Sequence, residues 1–432
     1  MNDGTIPQSQ SDSATERLLR LSADRSAPPT SCVYELESQS PAAKIKAQMF
    51  GKMFGYVPVP RPEVGRRLGM AMWEGDALAD KAILELREAG ANPHAVIETL
   101  ITKGLEGIDA PSEELVALWK QVSTLPDWLD WEKLEKGARI YRRYGVQGFR
   151  FQGIGTLDSY RNENLAKTLM STGQYSDDTA FKRFLLTCNF WLEISEPGGM
   201  RLFEKGWQVA VRVRLLHTLI RRAVISNPKW DADKIGMPIN QVGLHAAPVI
   251  SSVVLGHQLK RMGYRPTDDE IEAMMHLWRY ICYVMGASTE FFPVTSDEGI
   301  QMMFDISNLQ RVTDDPDGIR LCQSFIKAFE PRKNVKGIAR MMAWLKYWDN
   351  IVQAVLFVSP ETRRLMGMKN PTWFAALTIF VVSPRNFVQD WLRHRLPSYA
   401  ARLDNRMRRQ RRAWLKEHLE ESDLVYRPQP KY

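Results

Sequence analysis

The stretch from Gln208 to Arg222 constrains the fold most strongly, because no glycine or proline interrupts it. Apolar residues recur there at the spacing of one helix face: Val209, Val213, Leu216 and Ile220. Elsewhere in the chain we find no sustained alternation of apolar and polar residues rich in Val, Ile and Thr, which a half-buried strand would show. We also find no repeat at a fixed period. The pattern therefore predicts an all-α fold.

Helix-start signals support this interpretation at several places. Pro111-Ser112-Glu113-Glu114 and Thr267-Asp268-Asp269-Glu270 each combine N-cap candidates with acids in the first turn. A further helix is predicted from Thr179 to Ile194. The glycine-rich segment 145–155 has no Gly-Lys-Ser/Thr after it and no strand before it, so it is not a phosphate-binding loop. Its small residues predict either close helix packing or the close approach of a flat ligand.

The composition is that of an ordinary globular protein. Of 432 residues, 44% are hydrophobic and 25% are charged. Thirteen Trp and nineteen Met residues suit a roomy apolar pocket, and they equally suit packing between helices. The net charge of +8 is concentrated near the C-terminus, where residues 406–412 hold five arginines. This run fits a solvated helix face, a nucleic-acid patch or a contact to anionic lipid; without aromatic stacking platforms we expect no nucleic acid partner.

The cysteines and the apolar runs bear on the compartment. The four cysteines include no CxxC pair and no CxxCH motif, which excludes a zinc or redox pair and covalent haem attachment. Cys188 and Cys282 lie in apolar helical runs, so we expect buried free thiols and a reducing compartment. The N-terminus does not resemble a signal peptide. The longest apolar run, Trp373 to Ser383, is shorter than the roughly 20 residues that cross a bilayer. We therefore expect a cytoplasmic protein without a transmembrane span, for which peripheral membrane contact stays open.

We expect three regions along the chain. Residues 1–40 are rich in Ser, Gln, Asp and Pro and predict a mobile arm that folding does not need. Residues 41–310 hold the main helical domain and its site. Residues 311–432 stay helical in pattern and predict an extension packed on the core.

One histidine, His217, lies at the rim of the apolar face of the 208–222 helix. Arg214 precedes it by three residues and Arg221 follows it by four, so all three share one side. A neutral imidazole between two cations suits a haem, whose iron would take the ring nitrogen and whose propionates would meet the arginines. The alternative is a half-buried histidine in a core helix with solvated arginines. The other histidines compete, His276 most strongly because it too lies in a long apolar helix: His94, His245, His257, His276, His394 and His418.

The run from Val211 to His217, followed by Arg221, resembles the signature of the latex-clearing-protein (rubber oxygenase) and MpaB-like oxygenase superfamily. Further segments resemble that family in order and spacing, roughly from Asp76 to Pro293: Leu169-Met170-Ser171-Thr172-Gly173, Arg183 with Thr187, Trp230, Gly236 to Gln241, Gly263 to Thr267, and Leu277-Trp278-Arg279 leading to Gly286. The resemblance fades beyond about residue 310.

The resemblance implies a fold and a chemistry. It implies a globin-like helical core with additional N- and C-terminal helices, and it makes His217 the proximal ligand of a b-type haem. It also implies dioxygen-dependent cleavage of isoprenoid double bonds. Arg183 and Thr187, four residues apart on one helix, would take the distal positions, where the guanidinium acts on dioxygen and the hydroxyl on water or substrate. In the alternative, Arg183 lies at the surface and Thr187 bonds back to its own helix.

The chain departs from the family at two places. Leu186 stands immediately before Thr187, where rubber oxygenases have a lysine. The family's catalytic glutamate corresponds to a neighbourhood that contains Glu163 and Lys167, and we take Glu163 as the candidate base. These departures point away from polyisoprene itself. We predict a haem b-dependent oxygenase that cleaves a C=C bond of a hydrophobic isoprenoid or lipid-like small molecule; the alternative is a non-catalytic helical protein that binds haem or lipid.

Overall fold

The computed structural model describes residues 25–171, 177–310, 314–330, 336–368 and 372–419. Within these ranges the chain is helical and holds no strand, apart from one isolated bridge between Cys32 and Gln310. The all-α prediction is confirmed. Short 3₁₀ turns at Leu105–Gly107 and Leu157–Arg161 join some of the helices.

The helices of the N-terminal half follow one another with short connections. They are α1 (Tyr34–Glu37), α2 (Pro41–Phe54), α3 (Pro62–Ala71), α4 (Ala77–Glu88), α5 (Pro93–Lys103), α6 (Glu113–Ser123), α7 (Trp131–Arg142), α8 (Gly145–Gly155), α9 (Glu163–Ser171), α10 (Asp177–Glu193) and α11 (Lys205–Ser226).

The helices of the C-terminal half continue the same pattern. They are α12 (Ala232–Ile235), α13 (Gln241–Val249), α14 (Leu255–Lys260), α15 (Asp268–Val284), α16 (Ser296–Leu309), α17 (Pro316–Lys327), α18 (Gly337–Phe357), α19 (Pro360–Leu365), α20 (Thr372–Arg395) and α21 (Pro397–His418).

The core is built around α15, which packs along α7 and is buried over most of its length. A Cβ atom placed on Gly137 of α7 would lie 2.0 Å from the carbonyl oxygen of Ala273 on α15. Only glycine therefore permits this backbone approach. The start of α15 is fixed by a capping box between Thr267 and Glu270, as its acid-rich sequence predicts.

The two helices that carry most of the candidate site form where the sequence predicts them. The 208–222 stretch lies inside α11, and the helix predicted from Thr179 to Ile194 is α10. α11 packs against α10, α4 and α15. The glycine-rich segment forms α8, where a Cβ on Gly153 would lie 2.6 Å from the Phe184 ring, so its small residues do permit close packing against α10.

One helix in the described ranges is long and apolar enough to cross a membrane by length and composition. It runs from Gln241 to Lys260 as α13, a π-helical turn at Ile250–Val254 and α14. About 72% of the most apolar 18-residue part of this helix is buried inside the protein, as in the core helix of a folded domain.

The mobile arm expected over residues 1–40 is corrected for residues 25–40. Tyr34 is buried, and its hydroxyl donates to Asp305 (2.6 Å) and accepts from the backbone N–H of Arg61 (2.8 Å). Arg25 stacks on the ring of Trp73 at 4.3 Å. Residues 25–40 are therefore docked on the domain, because a few buried side chains outweigh their polar composition. Residues 1–24 lie outside the described residues.

The helices beyond residue 310 pack on the domain. Arg142 of α7 forms a two-bond ion pair with Asp404 of α21 at 2.6 and 2.8 Å. Arg411 of α21 is buried and donates to the Trp191 carbonyl (2.8 Å) and the Ser195 hydroxyl (2.9 Å). The last helix in the described part of the chain therefore supports α10 from the outside.

Candidate functional site

His217 lies in the middle of α11 with no hydrogen-bond partner for its buried Nδ1 atom among the described residues. Burial, with the positive charges of Arg221 and Arg183, lowers the pKa of His217 to about 4. The imidazole is therefore neutral near pH 7 and keeps a nitrogen lone pair. The buried Nδ1 atom is therefore not engaged by any protein group among the described residues.

All seven histidines lie in the described ranges, and the others are placed differently. His245 is fully buried and both its nitrogens contact carbonyl oxygens, those of Gln241 (2.6 Å) and Ser288 (2.5 Å). His276, the strongest rival, accepts from the backbone N–H of Asp130 at 3.0 Å. The rest are exposed or bonded to protein groups: His94 is exposed, His257 contacts the Ser296 hydroxyl, and His394 and His418 contact carbonyls. Among the histidines, only His217 has a buried ring nitrogen without a partner.

His217 is half-buried as a residue, although its Nδ1 atom is fully buried. Burial is the largest cause of its lowered pKa.

The face of α10 that carries Arg183 belongs to the same region. Arg183, Leu186, Thr187 and Phe190 recur at positions i, i+3, i+4 and i+7, and all four are partly exposed. Other positions of the helix are buried, namely Phe184, Leu185, Cys188 and Leu192. The positive charge of Arg183 contributes to the lowered pKa of His217.

Thr187 makes the local bond that the alternative interpretation allows. Its hydroxyl donates to the carbonyl of Arg183 at 3.1 Å, one turn back on the same helix. The hydroxyl oxygen keeps its lone pairs as acceptors. The distal role of Thr187 stays a prediction, as does that of Arg183.

Arg214 and Arg221 are both fully buried and bound to protein groups. Arg214 forms two hydrogen bonds with Asp76 at 2.6 and 2.9 Å, and it also contacts Gln121 and the Val284 carbonyl. Arg221 donates to Asp80 at 2.5 Å and to the carbonyls of Pro238 and Ile239. These contacts fix α11 to α4. A haem propionate could bind these arginines only by sharing or replacing their bonds to Asp76 and Asp80. The propionate role of the two arginines therefore stays a prediction, and these contacts do not favour it.

Glu163 begins α9 and lies in a network of charges. Its carboxylate accepts from Lys234 at 2.9 Å and lies 3.7 Å from Lys167, which is also 3.5 Å from Asp315. The partners of Glu163 that the structure shows are Lys234 and Lys167. Its role as a base stays a prediction.

Sequence reasoning missed several polar groups near the site. The indole Nε1–H of Trp278 is buried without an acceptor among the described residues, and its ring lies 6.2 Å from that of Phe190 on the partly exposed α10 face. Trp278 stood out only within the Leu-Trp-Arg segment of the resemblance. Asp76 is the N-cap residue of α4, where its side chain accepts from the Ala79 N–H at 3.3 Å. Its ion pair with Arg214 carries no local sequence signal, because the partners are 138 residues apart.

Comparison with known proteins identifies the family of this chain. Residues 161–417 match the family described as ER-bound oxygenase mpaB/B′/rubber oxygenase, catalytic domain. Because the match covers more than half of the chain, the protein belongs to this family of oxygenases. The match includes all the predicted site residues and extends through most of α21, well beyond residue 310, where we expected the resemblance to fade.

Individual relatives are more distant. The chain is 24% identical over 179 residues to the rubber oxygenase of Streptomyces sp. (strain K30), covering 40% of this chain and 43% of that protein. The aligned part thus spans less than half of the relative's length. The solved structure of latex clearing protein LCP in the closed state is 17% identical, with a TM-score of 0.58, and the similarity covers 81% of this chain and 92% of that one. At that identity the likeness shows the shared all-α fold.

Proposed function

We propose that this protein is a haem b-dependent oxygenase that uses dioxygen to cleave a C=C bond of a hydrophobic, isoprenoid or lipid-like small molecule. The observation that carries the proposal is His217, a neutral, half-buried imidazole whose buried Nδ1 atom has no partner among the described residues and whose pKa is lowered in part by the charge of Arg183. Family membership supports oxygenase chemistry. The rubber oxygenase and the latex clearing protein among the similar proteins support a hydrophobic alkene as substrate.

The residues present fit a haem better than a metal ion held by side chains alone. Within the described ranges, no group of three or more His, Cys, Asp or Glu residues could hold a metal ion. A haem needs only one or two axial ligands from the protein, because the porphyrin supplies four nitrogens. His217 provides one axial nitrogen, and its lowered pKa keeps that nitrogen unprotonated at neutral pH.

A haem held at His217 would supply the iron that binds and activates dioxygen. The chain's own residues would set the conditions around it. Leu186 and Phe190 present apolar surface, which excludes water and contacts an apolar substrate. Arg183 adds a fixed positive charge on the same face, suited to stabilising negative charge as it develops on oxygen. Because Leu186 replaces the family's lysine, we expect a less polar pocket and a smaller substrate than polyisoprene.

The cysteines support a location for this activity. Cys188, Cys282 and Cys322 are buried free thiols, and burial raises their pKa values. Thiols kept in this state fit a reducing compartment, so we propose a cytoplasmic protein.

The first experiment tests the ligand. His217→Ala should fold, as judged by far-ultraviolet circular dichroism, and should lose most of its bound haem and its Soret absorption. His276→Ala is the matched control, because it removes the rival histidine from another core helix, and it should keep both. The ligand assignment fails if His217→Ala retains haem with an unchanged spectrum.

The second experiment tests turnover. Arg183→Ala should retain haem, and its oxygen uptake with isoprenoid alkenes should fall by about 10²-fold or more, the usual cost of removing an electrostatic stabiliser. Haem-loaded wild-type protein that consumes no oxygen with any isoprenoid or lipid alkene would instead identify a non-catalytic haem-binding protein.

A further inference from the structure

Two C-terminal helices leave apolar faces uncovered. On α18, Ile338, Met341, Met342 and Leu345 are between 48% and 77% exposed. The α20 face, which we call the apolar stripe, spans the helix: Trp373, Leu377, Phe380, Val381, Val388 and Trp391, between 43% and 78% exposed. From Trp373 to Trp391 the stripe is about 27 Å long at a rise of about 1.5 Å per residue. Because α18 and α20 pack together, their exposed apolar residues lie on neighbouring helices. Grouped exposed apolar residues of this kind are typical of a binding surface.

The opposite side of α20 is held firmly on the domain. Asn386 is buried and donates to the Met262 carbonyl at 2.9 Å. Asp390 is fully buried and accepts from the backbone N–H of Arg265 at 2.6 Å. Gly263, at φ +87°, lets the chain approach the backbone of Ser383. The exposure of the stripe is therefore a property of a docked helix.

Arginine side chains contact aromatic rings on and beside the stripe. The Arg395 guanidinium lies 4.2 Å from the Trp391 ring, and that of Arg265 lies 5.5 Å from the Phe387 ring beside the stripe. Arg340 and Arg385 are exposed. The carboxylates on α18 and α20 are each paired with an arginine: Asp349 with Arg150 at 2.8 Å, and Asp390 with Arg393 at 2.7 Å.

The next helix adds more positive charge. An open groove of about 620 Å³ on α21 is lined by Asn405 and five arginines: Arg402, Arg406, Arg408, Arg409 and Arg412. α21 packs against α20, and within this groove Arg408 and Arg412 pair with Glu196 at 2.8 and 3.2 Å. Aromatic and aliphatic residues on one face with arginines beside them are typical of helices that lie in the plane of a membrane surface.

We propose that the surface formed by α18 and the apolar stripe binds an anionic lipid bilayer peripherally, with the aromatic side chains in the interface and the arginines on lipid phosphates. A second copy of the chain fits this surface less well. A twofold dimer would place the same patch on both copies face to face, and the arginines would then repel each other.

The test measures sedimentation of the full-length protein with vesicles. Wild-type protein should bind vesicles of phosphatidylcholine mixed with phosphatidylserine, bind pure phosphatidylcholine more weakly, and lose affinity as salt increases. Phe380→Glu with Val381→Glu should abolish binding. Arg385→Ala with Arg395→Ala should weaken it by about fivefold for each arginine removed. Ile45→Glu is the matched control, because Ile45 is 64% exposed on α2, and its binding should be unchanged.

Three outcomes would overturn the proposal. The first is absence of wild-type binding to anionic vesicles. The second is equal binding by the Phe380/Val381 variant when circular dichroism shows it folded, since the lipid contact would then lie elsewhere. The third is a lipid-independent dimer that this variant converts to monomer, which would make a second copy the occupant.

Discussion

Glu270 joins three helices through one carboxylate, and its replacement gives a measurable effect on stability. The carboxylate accepts from Arg143 at the C-terminal end of α7 at 3.0 Å and from Arg393 of α20 at 2.8 Å, and it also closes the capping box of α15. Although burial opposes the charge, the two arginines lower the pKa of Glu270 from 4.5 to about 2. The group is 7% exposed, so solvent screens these interactions little.

The shift converts to a free energy of unfolding. A change from 4.5 to about 2 at about 1.4 kcal/mol per pKa unit corresponds to about 3 kcal/mol. Because the pKa is lower in the folded state, this stabilisation is complete above about pH 5.5 and is lost as the pH falls from 4.5 towards 2. Glu270→Gln keeps the shape and the cap acceptor and removes the charge, so it should cost about 3 kcal/mol at pH 7.

Urea denaturation of both proteins at pH 7, 5 and 3 checks this value. The difference between wild type and variant should be largest at pH 7 and should shrink clearly by pH 3. Glu298→Gln is the matched control, because Glu298 closes the equivalent capping box of α16 without an arginine partner in the described structure, and it should cost less than about 1 kcal/mol. A difference that is the same at pH 7 and pH 3, or no larger than that of the control, would refute the reasoning.

Two further changes test the supports of the site and of the N-terminus. Asp76→Asn leaves the Arg214 guanidinium buried without a charged partner, so we expect a loss of about 3–5 kcal/mol in urea denaturation, and a loss below 1 kcal/mol would contradict the buried pair. Tyr34→Phe removes the hydroxyl between Asp305 and Arg61 and should cost about 1–3 kcal/mol; an unchanged urea midpoint would show that residues 25–40 contribute little.

Local patterns in the sequence predict the helices well. The capping residues Ser112 and Thr267 begin helices where expected, and the uninterrupted periodicity around His217 corresponds to α11. These signals depend on residues within one or two turns of each other, so a single sequence contains them.

Features that depend on distant residues could not be predicted. Nothing near Tyr34 shows that Asp305 will bury it, and the polar composition of its neighbours favours an arm. Likewise Arg214 looks like a solvated cation beside His217, whereas Asp76 lies 138 residues earlier in the chain. Resemblance to a family, rather than periodicity, singled out His217. The structure adds that its buried Nδ1 atom has no hydrogen-bond partner among the described residues.

The contact between α21 and α10 has a consequence for biosynthesis. Arg411 bonds to the Trp191 carbonyl and the Ser195 hydroxyl and stacks 4.7 Å from the Phe149 ring, so the helix that carries Arg183 is supported by the last helix in the described part of the chain. During vectorial synthesis the N-terminal helices emerge first, and Trp191 of α10 is made 220 residues before Arg411. The side of α10 that Arg411 contacts therefore reaches its final packing only after α21 has been synthesised.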